Sequence, residues 1–185
     1  MAGYHRALYE AVAVGRSVHQ DLPRIKDDME ALGKKHILVG ILGEADSEIQ
    51  MIAQVHEYGC TITVSPKMRA YLHYTGLHLK QTTGTLNIPE RSFIRASFES
   101  KQPEIRAIIN AAVFKMFACE ISADEAAERI GAQLAQLVQN FIRGGEVKPP
   151  ISQYTKEHRT STTDTPLFDT GTHIVDHITY AIEEV

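Results

Sequence analysis

The sequence predicts an α+β fold: a small, mostly antiparallel sheet packed against two or three helices, with a long loop before the last strand. Three observations carry this. Residues 103–143 hold two consecutive apolar stripes at helical spacing, residues 36–42 and 60–88 hold β-type runs broken by turn formers, and residues 174–182 alternate apolar with polar side chains. The 185 residues, 43% of them hydrophobic, suffice for one core and not for two full domains. The expected organisation is an N-terminal helical segment over 1–35 and one α+β domain over 36–185, with a mobile loop at 144–171.

Asp21 can cap a helix with Pro23 in its first turn, where a missing N–H costs nothing, and Gly33 can supply a left-handed stop. Its apolar face is Leu22, Ile25, Met29 and Leu32. The run from His36 to Leu42 is nearly continuous in apolar residues, which predicts a short strand covered on both faces and ended by Gly43. Ser47 with Gln50 forms a capping box, and Ile49, Ile52, Ala53 and His56 recur at helical spacing, so the helix stops at Tyr58 before Gly59. From Cys60 to Ile88, β-branched and aromatic runs separated by Ser65-Pro66, Thr75-Gly76 and Thr83-Gly84 predict a hairpin or meander. Arg91 and Arg95, four apart, then share a helix face, with Phe93 and Phe98 turned to the core.

Pro103 opens a helix whose stripe is Ile105, Ile108, Ile109, Ala112, Val113, Met116 and Phe117. A capping box at Ser122 and Glu125 starts the next, which carries Ile130, Leu134, Leu137, Val138, Phe141 and Ile142 and ends at Gly144-Gly145. The two are expected to pair antiparallel. Between Gly144 and Gly171 no apolar period survives, and five of the six residues from Thr160 to Thr165 bear hydroxyls. Structureless stretches above ~12–15 residues are uncommon in compact domains unless used or disordered, so this loop is a candidate docking arm. Ile174, Ile178, Tyr180 and Ile182, with Asp176 the sole exception on their face, then oppose His173, His177, Thr179 and Glu183, the pattern of a half-buried strand that must return to the early strands.

A net charge of −4, from 23 acidic against 19 basic residues, is the wrong balance for tracking a nucleic-acid backbone, and DNA contact is not expected. The set Lys67, Arg69, Tyr71 and Tyr74 could stack on bases, but more often such a set is one face of a hairpin. Cys60 and Cys119 are far apart with no C-x-x-C pairing, which suits a reducing cytosol, and both are expected as buried small hydrophobes. No leader pattern occupies residues 1–15 and no run approaches ~18 apolar residues, so a soluble protein without a membrane span is expected.

Nucleophile elbows, Walker loops and dinucleotide fingerprints are absent. Nine histidines raise a metal hypothesis, yet His173 and His177 on a strand would sit ~13 Å apart, too far for one ion. A small cytosolic metal-dependent or acid–base enzyme would have to use His56, Glu57, His73 and His78, which lack a companion cluster in the sequence. No cofactor, metal or catalytic residue is expected. Gly59 needs only a helix stop to explain it, and Tyr58 can pack its ring with the hydroxyl at the surface.

Three fragments in order, Glu57-Tyr58-Gly59, Ile88-Pro89-Glu90-Arg91-Ser92-Phe93-Ile94-Arg95 and Pro166-Leu167-Phe168-Asp169-Thr170-Gly171, resemble the tail-completion or head–tail joining (neck, minor tail) proteins of long-tailed bacteriophages, common in prophages. Pro149-Pro150-Ile151-Ser152 and Thr155-Lys156 are similar to the segment that family places before its loop. Ser92 departs from the family's usual Pro, and His173 from its usual Leu. The resemblance implies a non-enzymatic virion part that forms a ring at the head–tail junction, contacting head-connector, tail-tube or terminator proteins. It would work in the bacterial cytoplasm during assembly and then in the virion neck or tail. The candidate partner-contact residues are Glu57, Tyr58, Gly59, Arg91, Phe93, Arg95, Thr160, Thr163, Asp169 and Gly171.

Overall fold

The computed structural model describes residues 18–43, 45, 47–158, 165–167 and 174–184, with side chains from residue 21 onward. The described residues form an α+β fold of seven helices and two small antiparallel sheets. In chain order these are α1 (Val18–Gly33), β1 (Lys35–Ile41), α2 (Ser47–Tyr58), β2 (Cys60–Thr63), α3 (Pro66–Tyr74), β3 (Thr85–Ile88) and α4 (Ile94–Ser100). They continue with α5 (Gln102–Phe117), α6 (Ala123–Arg143), α7 (Gln153–His158), a 3₁₀ turn (Ile174–His177) and β4 (Ile178–Glu184).

The long helix α6 organises the molecule, touching α1, α4, α5, β1, β4 and the 3₁₀ turn. Its start is secured by the predicted capping box, in which Ser122 Oγ accepts from Glu125 N (3.2 Å) and Glu125 Oε2 accepts from Ser122 N (2.9 Å). A second carboxylate, Asp28 on α1, accepts from Ala123 N (3.3 Å). These bonds occupy amides that a helix leaves without internal partners and place negative charge at its positive end.

Two apolar clusters lie along α6. Toward its start, Ala123, Ala126, Ile130 and Leu134 pack with Ile105, Ala112, Met116 and Ile121. Toward its end, Ala135, Val138, Phe141 and Ile142 pack with Ala53, Phe93, Val147, Ile174, Val175 and Ile178. Val39 and Phe98 touch both clusters and join them. Fully burying each of the Val, Ile, Leu, Met and Phe side chains among these contributes ~1.5–3 kcal/mol, which explains why the two long helices dominate the fold.

β4 returns to β1 as expected, antiparallel from Lys35 opposite Glu184 to Ile41 opposite Ile178. That register puts Ile37, Val39 and Ile41 on one face with Ile182, Tyr180 and Ile178. Tyr180 packs against Gly131 of α6, where a Cβ would overlap its ring, and its hydroxyl donates to Glu128 (2.7 Å). The other face of β1 exposes His36 and Leu38, so β1 is covered on one face rather than two. The alternation of the last segment begins at Ile178; residues Ile174–His177 wind a 3₁₀ turn that still buries Ile174 and Val175.

Several other expectations are corrected. α1 already runs from Val18, with Pro23 inside it, and Gly33 is its last helical residue without a left-handed backbone. Leu22 and Met29 are exposed at 48% and 52%, so only Ile25 and Leu32 of the expected face are partly covered. The hairpin or meander expected over 60–88 is a β2–β3 antiparallel pair, but with helix α3 inserted in place of further strands: Ser65 Oγ accepts from Met68 N (3.1 Å) and Pro66 sits in the first turn. Cys60 and Cys119 are half-buried rather than buried. The stretch after α6 is described through His158, with Val147 buried in the core and α7 formed where the lack of an apolar period predicted a loop. Residues 159–164 and 168–173, with Thr160, Thr163, Asp169 and Gly171, lie outside the described residues. Among the described residues no helix is long and apolar enough to cross a membrane.

Candidate functional site

Two of the three fragments singled out in the sequence meet at one junction. Gly59 stops α2 with φ +69°, and the chain turns so tightly that a Cβ there would lie 2.8 Å from Glu90 N and 2.9 Å from Ile88 O. That approach brings the last turn of α2 against the start of α4. Glu57 Oε2 accepts from the amides of Phe93 (2.8 Å) and Ile94 (3.1 Å), and Oε1 from Arg95 N (3.1 Å), Arg95 Nε (3.1 Å) and Ser92 Oγ (2.7 Å). A carboxylate 36 residues upstream of Phe93 is therefore the N-terminal cap of α4.

The junction is reciprocal. The C-terminal carbonyls of α2 are taken by the same segment: His56 O accepts from Arg91 N (2.7 Å) and Glu57 O from Arg95 Nη2 (2.8 Å). Arg95 Nη2 also reaches Glu90 (2.8 Å), and its guanidinium lies 5.0 Å from the centre of the Tyr58 ring. Arg91 precedes α4 and does not share a helix face with Arg95; it donates through Nε to Pro149 O (3.0 Å) and through Nη2 to Pro150 O (3.3 Å). Phe93 is fully buried beneath the knot, whereas Tyr58 is 66% exposed above it.

Burial alone would push the Glu57 carboxyl up, but the donors from Ser92, Ile94, Phe93 and Arg95 together outweigh it and hold the group below the usual carboxylate range. His56 is pushed down, first by burial and then by the Arg91 charge, and its Nδ1 is buried without a hydrogen-bond partner. A neutral imidazole beside Arg91 is the form this environment favours. An open cleft of about 280 Å³ lies beside the knot, lined by Ile41, Gln50, Ala53, Gln54, Tyr58 and Ile94 among others.

The structure thus brings Glu57, Tyr58, Gly59, Arg91, Phe93 and Arg95 together, with the side chains of Glu57, Arg91 and Arg95 hydrogen-bonded inside the chain. His73 and His78 pair with each other on the α3 side, Nδ1 to Nδ1 at 2.7 Å, a juxtaposition hidden from a reading that laid 60–88 out as strands. Among the described residues no group of three or more His, Cys, Asp or Glu converges. Tyr154 of α7 donates to Thr75 O (3.3 Å) and stacks on His158, so the segment after the prolines rests on the end of α3. Compared with known proteins, the chain matches no family model, no curated protein and no solved structure.

Proposed function

We propose that this chain is a non-enzymatic structural protein of a phage or prophage, acting in virion assembly at the head–tail junction or in tail completion. It does so by forming a ring and docking to head-connector, tail-tube or terminator proteins. The observation that carries this reading is the Glu57 knot. Two of the three fragments on which the resemblance rests serve to fix one helix end against another, as a scaffold requires, and the buried Glu57 carboxylate accepts five hydrogen bonds. A carboxylate so committed has little capacity left for acid–base chemistry.

Exposed large apolar side chains on different elements support docking: Leu22 and Met29 on α1, Met51 and Tyr58 on α2, and Tyr71 and Tyr74 on α3. A closed ring needs two different complementary patches per subunit, and such residues are available on separate helices. Mass spectrometry and immunogold labelling of purified particles from the host strain test the reading. The chain is expected in intact particles, with label confined to the neck or tail end; particles devoid of it would overturn the assignment.

A further inference from the structure

We propose that His73 and His78 form a two-histidine site for a borderline divalent transition ion, Zn²⁺ being the probe of choice. The site is independent of the assembly role. Their Nδ1 atoms stand 2.7 Å apart at the protein surface, and the rings meet edge to face with centroids 4.4 Å apart. Two nitrogens that face each other so closely either share one proton or share an ion. With metal–nitrogen bonds of ~2.0–2.1 Å, two ligands on one ion lie roughly 3 Å apart, so only a small opening of the rings is needed.

The backbone beneath the pair is held in place. His73 lies in the last turn of α3, and the chain doubles back through Gly76 N to His73 O (3.1 Å) and Leu77 N to Leu72 O (2.8 Å). Gly76 makes that turn with φ +91°, a conformation costly to any side chain. Arg69, one turn earlier on α3, clamps the segment after His78 by donating to Lys80 O (2.8 Å) and Thr83 O (2.5 Å). Both ligands are therefore set before an ion arrives, which lowers the ordering cost of chelation.

The donor set also selects the ion. Two imidazoles suit Zn²⁺, Ni²⁺ or Cu²⁺ and not Mg²⁺ or Ca²⁺, which take oxygen ligands. With no further His, Cys, Asp or Glu converging among the described residues, water fills the remaining positions and affinity is modest.

Titration calorimetry of the full chain with ZnCl₂ at neutral pH, in parallel with ¹⁵N NMR of the histidine rings, tests this. Near one equivalent of Zn²⁺ is expected to move the Nδ1 resonances of two rings together. His73→Ala and His78→Ala should each weaken that binding by at least about tenfold, the lower limit seen even for an outer-shell partner. His36→Ala, which removes an unrelated exposed histidine, should leave it unchanged. Circular dichroism confirms that each variant remains folded. Unchanged affinity in the His73 and His78 variants, equal loss in the His36 variant, or movement of Nε2 signals in place of Nδ1 would each overturn the site and leave a plain N–H···N pair.

Discussion

At the scale of single residues, Glu57 shows how one carboxylate can be a cap, an ion-pair partner and a buried charge at once. Removing one partner of a buried charge network costs ~3–5 kcal/mol, because the remaining groups lose their compensation. Glu57→Ala is therefore expected to lower the unfolding free energy by about 3 kcal/mol in urea titrations. The folded carboxyl lies below its unfolded value of ~4.3, so its stabilisation is complete above that value and disappears as pH falls through the folded pKa. His56 adds to this acid sensitivity: its folded pKa is depressed, so the unfolded chain binds a proton first as pH drops below ~6.5. Urea midpoints measured from pH 7 to pH 3 should fall in the wild type and fall less in Glu57→Gln. Gly59 is the second test. Alanine there must adopt a left-handed backbone and displace Glu90 N, so a loss of about 2 kcal/mol or more is expected by the same titration.

At the scale of elements, magnitudes decide the sign at Gly131. Alanine in a helix interior normally gains ~1 kcal/mol over glycine, but overpacking against a seated ring costs ~1–3 kcal/mol. With Tyr180 pressed on Gly131, Gly131→Ala is expected to be net destabilising, read as a lowered thermal midpoint, and Gly131→Ala/Tyr180→Ala should lose the clash. Arg91→Ala releases the carbonyls of Pro149 and Pro150; stability should change by only ~1 kcal/mol while tryptic cleavage after Lys156 accelerates. The elements that were legible in the sequence are those whose signal is local: the α6 capping box, the stop at Tyr58 before Gly59, and the period of two in β4. α3 was missed because Ser65-Pro66 is both a turn former and an N-cap followed by a first-turn proline, and only the fold chooses between them. The Glu57 knot was not legible at all. Its donors lie 35 to 38 residues away, and no periodicity in the chain reports such a pairing.

At the scale of the whole molecule, the 21-residue helix α6 gathers both apolar clusters, while each of the two sheets among the described residues has two strands. Isolated two-stranded ribbons are marginal in water, so β1 and β4 depend on α6 for their stability. Among the described residues, exposed large apolar side chains lie on α1, α2 and α3, with Leu38 on β1 and Ile109 on α5, which suits contacts made in more than one direction. The central claim is that the chain joins protein to protein in a virion, and the most direct test is to delete its gene from the producing strain, induce particles and image the lysate by electron microscopy. Filled heads and tails that accumulate unjoined or incomplete, restored by the gene supplied in trans, are the predicted result. A normal yield of complete, infective particles from the deletion strain would contradict it.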